Sequence, residues 1–191
     1  ELFDQALHAS AVSRLKLETD LRRAVDRGEM AVFYQPVVEL ETRRIVGLEA
    51  LVRWLRSDRG PVSPAEFIPL AEETGLIGPI GRWDLETACR QARTWRAAGP
   101  GGTPLVISVN LSARQFAQGD LVESVAEILA AADLDPSSLE LEITESVVMD
   151  QSEVGIRALR RLRDLGVRLV LDDFGTGYSS LAYLKHLPLD T

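Results

Sequence analysis

From Thr103 onward the chain alternates between two kinds of segment, and this alternation restricts the fold more than any other feature. TPLVISVNLS (103–112), SLELEITE (138–145) and VRLVLDDF (167–174) are short runs rich in Val, Ile and Leu. Between them, Asp120 to Ala132 and Glu153 to Asp164 carry apolar residues at three- and four-residue spacing, and Tyr178 to His186 reads as a further short helix. Strands separated by helices of this length form parallel βαβ units with right-handed crossovers. Such units either close into a barrel or spread into an open doubly wound sheet.

The upstream part reads differently. MAVFYQPVV (30–38) and RIVGLEALVRW (44–54) are strand-like runs joined by a short polar link, which permits only an antiparallel pair. Ser63-Pro64-Ala65-Glu66 has the spacing of a capping box with proline at the first helical position, and Gly75 is placed to end that helix. A longer helix is predicted from about Ile80 to Ala98, broken by GPGG at 99–102. Residues 9–27 predict an amphipathic helix stopped at Gly28, with a charged first half that suits a connector from a preceding module.

Side chains alternate across a strand, so parity sorts them onto two faces. In SLELEITE, Leu139, Leu141 and Ile143 share one face, and Glu140, Glu142 and Thr144 the other. Ser108 and Asn110 oppose Ile107, Val109 and Leu111; Asp172 opposes Leu171; Glu49 and Arg53 lie away from Leu48 and Val52. Four strands thus send polar groups toward one interior, three of them near a carboxyl-terminal end. A barrel places its active site there and draws groups from several strands, so the barrel is the favoured fold. An open sheet would bind only near a switch point.

Glu49, Asn110, Glu142 and Asp172 make an all-oxygen set of net charge about -3, costly to bury without a counter-ion. Carboxylates with an amide oxygen suit magnesium, manganese or calcium. Other metal chemistry is poorly supplied: the 191 residues include one cysteine, Cys89, and two histidines. A formal charge of -8 argues against binding a nucleic-acid polymer, although a local pocket for one small phosphate compound is compatible with it. No apolar run approaches the roughly 18 residues of a membrane span, and no signal peptide is evident, so a cytoplasmic location is expected.

Glu49-Ala50-Leu51 within GLEALVRW resembles the signature of the EAL-domain family, bacterial phosphodiesterases that open cyclic di-GMP to linear pGpG. YQPVV (34–38), EFIPLAEETGLI (66–77), SVNLSARQF (108–116), ELEITES (140–146) and LDDFGTGYSSL (171–181) follow in the family's order. The resemblance implies a TIM-like (β/α) barrel with an antiparallel first strand pair. It implies metal ligation by Glu49, Asn110, Glu142, Asp172 and Asp173, with two magnesium or manganese ions and catalytic roles for Glu49, Asp172 and Asp173. It further implies that Arg53 and Gln35 contact substrate, that Glu145 steadies the loop after Asp173, and that loop 174–180 mediates homodimerisation. Residues 1–27 resemble the connector following a GGDEF or sensory module, leaving 28–191 as barrel. That portion is shorter than the ~200 residues at which such barrels begin. The family also expects a lysine just beyond Thr191, so this stretch by itself is expected to be inactive. A non-catalytic cyclic di-GMP receptor or scaffold is the alternative.

Taken singly, these residues have plainer roles: Glu49 could simply pair with Arg53, and Asp172-Asp173 could cap or turn. Cys89 and the three tryptophans read as packing residues.

Overall fold

The computed structural model describes residues 2–98, 105–117, 119–144, 153–172 and 189–190. Its elements are α1 (Leu2–Leu21), β1 (Met30–Val38), β2 (Ile45–Arg56), β3 (Gly60–Val62), α2 (Pro64–Thr74), α3 (Ile77–Ala98), β4 (Val106–Leu111), α4 (Ala113–Ala117), α5 (Leu121–Ala132), β5 (Leu139–Thr144), α6 (Glu153–Asp164) and β6 (Arg168–Asp172), with a 3-10 turn at Pro136–Ser138 before β5. The strand order is β1-β2-β4-β5-β6, with β3 hung on β2. β1 and β3 run antiparallel to β2, and every later neighbour is parallel. This is the wall of a TIM-like barrel with an antiparallel first pair, as the sequence predicts.

The parity argument explains the packing. Ile107, Val109, Leu111, Leu139, Leu141, Ile143 and Leu169 are buried on the outer face of the wall, against Leu85, Ala88 and Cys89 of α3, Val125 and Leu129 of α5, and Leu159 and Leu162 of α6. Each such aliphatic side chain contributes about 1.5–3 kcal/mol when fully removed from water. Cys89 is a packing residue within this layer, its thiol pushed up to about 12 by burial and by Asp84.

A close approach fixes where β2 meets β4. Gly47 pairs with Val106, and a Cβ at Gly47 would lie 2.9 Å from the Val106 carbonyl oxygen. Only a residue without a side chain permits that spacing.

A second cluster holds the amino-terminal half together. Leu21 and Ala24 are buried with Met30, Trp54, Phe67, Leu70, Ala71, Ile77 and Ile80. Trp54 meets Phe67 edge-on at 5.9 Å and donates its Nε1 hydrogen to Glu29 Oε2 at 3.1 Å. Arg56, buried at the end of β2, makes two bonds to Asp58, at 2.8 and 2.9 Å. Its Nη2 also lies 2.8 Å from Asp20 Oδ2. The end of α1 is therefore anchored in the core, while Val12 and Leu15 on its first half are exposed.

Local signals were followed unevenly. α2 ends at Gly75 in the left-handed conformation (φ 78°), as expected. At its start, Ser63 makes no side-chain cap bond, so the capping box is not formed; the Ser63 carbonyl accepts from Glu66 and Phe67 instead. α3 begins one turn earlier than its sequence pattern suggested, at Ile77. Strand β3, helix α4 and the 3-10 turn were not anticipated. The predicted helix at Tyr178–His186 lies outside the described residues.

Asp84 sits on the buried stripe of α3, only 5% exposed, and burial lifts its carboxyl to about 7. Between the ordinary carboxylate range and pH 7 the folded state holds this proton more tightly than the unfolded chain. Stability at this residue therefore falls as pH rises across that window and is fully lost above it. Asp84→Leu should thus match the wild type near pH 4 and exceed it at pH 8, by on the order of 4 kcal/mol. Urea unfolding at the two pH values measures this, and an equal difference at both would refute it.

Candidate functional site

The candidate ligands enter the barrel on a diagonal. Gln35 of β1 lies opposite Glu49 of β2, Glu49 opposite Ser108 of β4, and Ser108 opposite Glu140 of β5. One step further along, Asn110 faces Glu142, and a step beyond that Thr144 faces Asp172 of β6. The set therefore advances two residues between β2 and β4, and two more between β5 and β6. Barrel strands tilt against the axis, so positions level around the barrel run diagonally across the ladder. Glu49, Asn110, Glu142 and Asp172 thus share one strand face, the face that parity assigned to them.

Contacts within the set distinguish its members. Asn110 donates from Nδ2 to Glu49 Oε1 at 3.0 Å, which leaves its own amide oxygen as a potential ligand. Ser108, buried at 3% exposure, donates from Oγ to Glu140 Oε1 at 2.6 Å. Glu142 is half-buried, and its carboxyl is pushed up to about 7. Burial is the main cause, followed by the negative charges of Glu49 and Asp172; a hydrogen bond from Ser108 opposes them. A half-buried carboxylate that feels two other negative charges is what a divalent cation would relieve. Among the described residues no group of three or more His, Cys, Asp or Glu side chains is arranged so that it could hold a metal ion. The donors present fit a hard cation through oxygen, with Asn110 completing the carboxylates.

Arg53 lies on the same strand face as Glu49, four residues on. Its guanidinium sits 5.9 Å from the Phe33 ring centre, and Nη1 donates to the Val52 carbonyl at 2.9 Å. The ion pair of Glu49 with Arg53 considered from sequence is not among the salt bridges of the described residues. Gln35 is exposed on β1. Asp173, Glu145 and loop 174–180 lie outside the described residues.

Beside Arg53 and Asn110 opens a cavity of about 290 Å³, where the β2 and β4 ends meet α2 and α3. Its walls include Val52, Ile68 and Ile80, and its polar lining includes Asp84 and Gln115. Sequence reasoning missed Ser108 as a partner, Gln115, and Asp84. The signal for Asp84 was present: Ile77, Ile80, Asp84 and Ala88 fall at helical spacing, so an acid interrupts an apolar stripe.

Comparison with known proteins supplies further findings. A profile of the EAL domain family matches residues 18–191. Over 186 residues the chain is 46% identical to the bifunctional diguanylate cyclase/cyclic di-GMP phosphodiesterase MucR of Pseudomonas aeruginosa; the match takes in 97% of this chain and 27% of that protein. The chain thus spans about a quarter of the length of that curated relative. Among solved structures, the PaMucR phosphodiesterase in complex with c-di-GMP is similar at a TM-score of 0.85 and 46% identity, covering 91% of this chain and 70% of that one. The EAL enzyme Bd1971, in its cAMP and cyclic-di-GMP bound form, is similar at a TM-score of 0.87 and 35% identity, covering 98% and 52%.

Cation binding should be visible without any reaction. Magnesium or manganese is expected to raise the unfolding temperature at pH 8, because a ligand that binds only the folded state stabilises it. The gain should shrink as pH falls below 7, where Glu142 takes up a proton, and should be much reduced in Glu142→Gln. A metal-dependent shift that is the same in Glu142→Gln at pH 8 would remove Glu142 from the ligand set.

Proposed function

Because this chain belongs to the EAL domain family, we propose that it forms part of a phosphodiesterase that hydrolyses cyclic di-GMP to linear pGpG. The observation that carries this reading is the crowding of Glu49, Asp172 and the proton-retaining Glu142 beside Arg53 and an apolar cavity. Glu49, Asn110, Glu142 and Asp172 would hold the cations, with Asp173 as a further ligand, and magnesium and manganese are the ions the oxygen donors favour. When bound, such cations lower the pKa of water and offset charge on the phosphoryl oxygens.

The chain's own residues supply the rest. In the hydrolysis, water oxygen bonds to phosphorus, the ester bond to the ribose 3′ oxygen breaks, and that oxygen takes up a proton. Arg53 offers a fixed positive charge to a phosphoryl oxygen, an interaction that strengthens as charge builds there. Gln35, opposite Glu49, is placed to contact the same diester. Asn110 holds the Glu49 carboxylate in one orientation through its Nδ2 hydrogen bond. The apolar walls between α2 and β2 suit the face of a base.

In this reading residues 1–27 connect the barrel portion, 28–191, to a GGDEF-type or sensory module, in a cytoplasmic protein. Glu145 steadies the loop after Asp173, and residues 174–180 form a contact between two copies. No helix among the described residues is long and apolar enough to cross a membrane.

The decisive experiment incubates the full-length protein carrying this domain with cyclic di-GMP and magnesium, and follows pGpG by chromatography. Product should form, Glu49→Ala should abolish it, and Arg53→Ala should lower kcat/KM by about two orders of magnitude. Tight binding without product would instead make the domain a receptor.

A further inference from the structure

β4 lies between two acid-bearing strands and supplies a donor to each. Asn110 donates toward β2, to Glu49, and Ser108 donates toward β5, to Glu140. The register accounts for the second contact, because Ser108 stands opposite Glu49 on one side and Glu140 on the other. Among the described residues, Ser108 is the one polar side chain on the inner faces of β2, β4, β5 and β6 that is buried, at 3% exposure. A hydroxyl so placed must find its hydrogen bonds in the wall itself.

Two carboxylates compete for its one proton. Glu140 and Glu142 project from the same face of β5, two residues and thus about 6.6 Å apart along the strand. Ser108 Oγ lies 2.6 Å from Glu140 Oε1, a length typical of a hydroxyl bonded to a charged acceptor. Glu142 is within hydrogen-bond reach of the same hydroxyl. The short bond ties Glu140 to β4, one step below the candidate cation ligands. The Ser108 oxygen meanwhile borders Glu142 and limits how that carboxylate can turn. Of two chemically identical acids on one strand, Glu140 is thereby engaged and Glu142 is left to face the interior.

We propose that Ser108 is a positioning residue of the cation set: its buried hydroxyl holds Glu140 aside and fixes the orientation in which Glu142 meets a divalent cation. This rests on the reading above that Glu49, Asn110, Glu142 and Asp172 hold magnesium or manganese. Groups that orient a ligand without touching the ion contribute roughly tenfold to a hundredfold to metal affinity.

The test titrates manganese alone, by calorimetry, into the metal-stripped full-length protein carrying this domain. Binding that disappears in Glu142→Gln identifies the site. Ser108→Ala should weaken that binding by about tenfold or more. Ser108→Thr keeps a hydroxyl and suits a strand, and should stay close to the wild type. Ser108→Cys, a weak donor of similar size, should fall between, and it carries the test if the alanine variant fails to fold. The manganese concentration giving half-maximal turnover of cyclic di-GMP should rise in step, while KM for cyclic di-GMP at saturating manganese stays unchanged. Equal manganese affinity in the wild type, Ser108→Ala and Ser108→Cys would overturn the role of Ser108 alone, as would a loss that threonine does not restore. A wild type that binds no manganese at this site would overturn the proposal together with the cation set beneath it. Manganese binding that follows the hydroxyl in a wild type leaving cyclic di-GMP intact would sustain the proposal and overturn the phosphodiesterase reading.

Discussion

The division of each parallel strand into an apolar outer face and a polar inner face is the constraint on which the rest depends. Leu139, Leu141 and Ile143 of β5 are fully buried against the helical layer, and their neighbours Glu140, Glu142 and Thr144 are thereby turned to the interior. Burial of the outer faces is large enough to oblige the inner carboxylates to approach one another. The raised proton affinity of Glu142 follows from that enforced proximity. Binding capacity in this wall is thus a by-product of how its strands are fastened to α3, α5 and α6.

β2 links the two halves of the molecule. Ala50 belongs to the cluster beneath β4 and β5, whereas Trp54, four residues on, is the centre of the cluster containing Leu21, Phe67 and Ile77. Between them lies Arg53, and beyond them Arg56 ties the strand to Asp20 near the end of α1. The strand bearing Glu49 and Arg53 is therefore held from both sides, which keeps their side chains at fixed height in the barrel.

Much of this was legible in the sequence because it depends on period alone. Alternation in SLELEITE assigned the faces of β5 correctly, and the run of strands and helices gave the parallel wall. What escaped depends on three-dimensional neighbours. Ser108 could be placed on the inner face, but its choice of Glu140 as partner is set by the β4–β5 register. The capping pattern at Ser63 was present in letters, yet the backbone carbonyl took the cap bonds. Leu21 and Ala24 looked like part of a connector because their partners, Trp54 and Phe67, are distant in sequence. Asp84 interrupts an apolar stripe that the sequence displays, but only the packed fold shows that this stripe is the buried side of α3.

Parity protects this wall from only half of its possible errors. A slip of one residue between strands would turn every apolar side chain inward and is heavily penalised. A slip of two keeps all faces correct and the core buried, yet moves a ligand along the barrel by about 6.6 Å. Gly47 blocks that silent error between β2 and β4. Shifting Val106 by two residues in either direction would set it against Ile45 or Glu49, whose Cβ atoms would meet the 2.9 Å approach if the strand spacing at Gly47 were kept. A residue with no side chain thus works as a length standard, setting the height of Glu49 relative to Asn110.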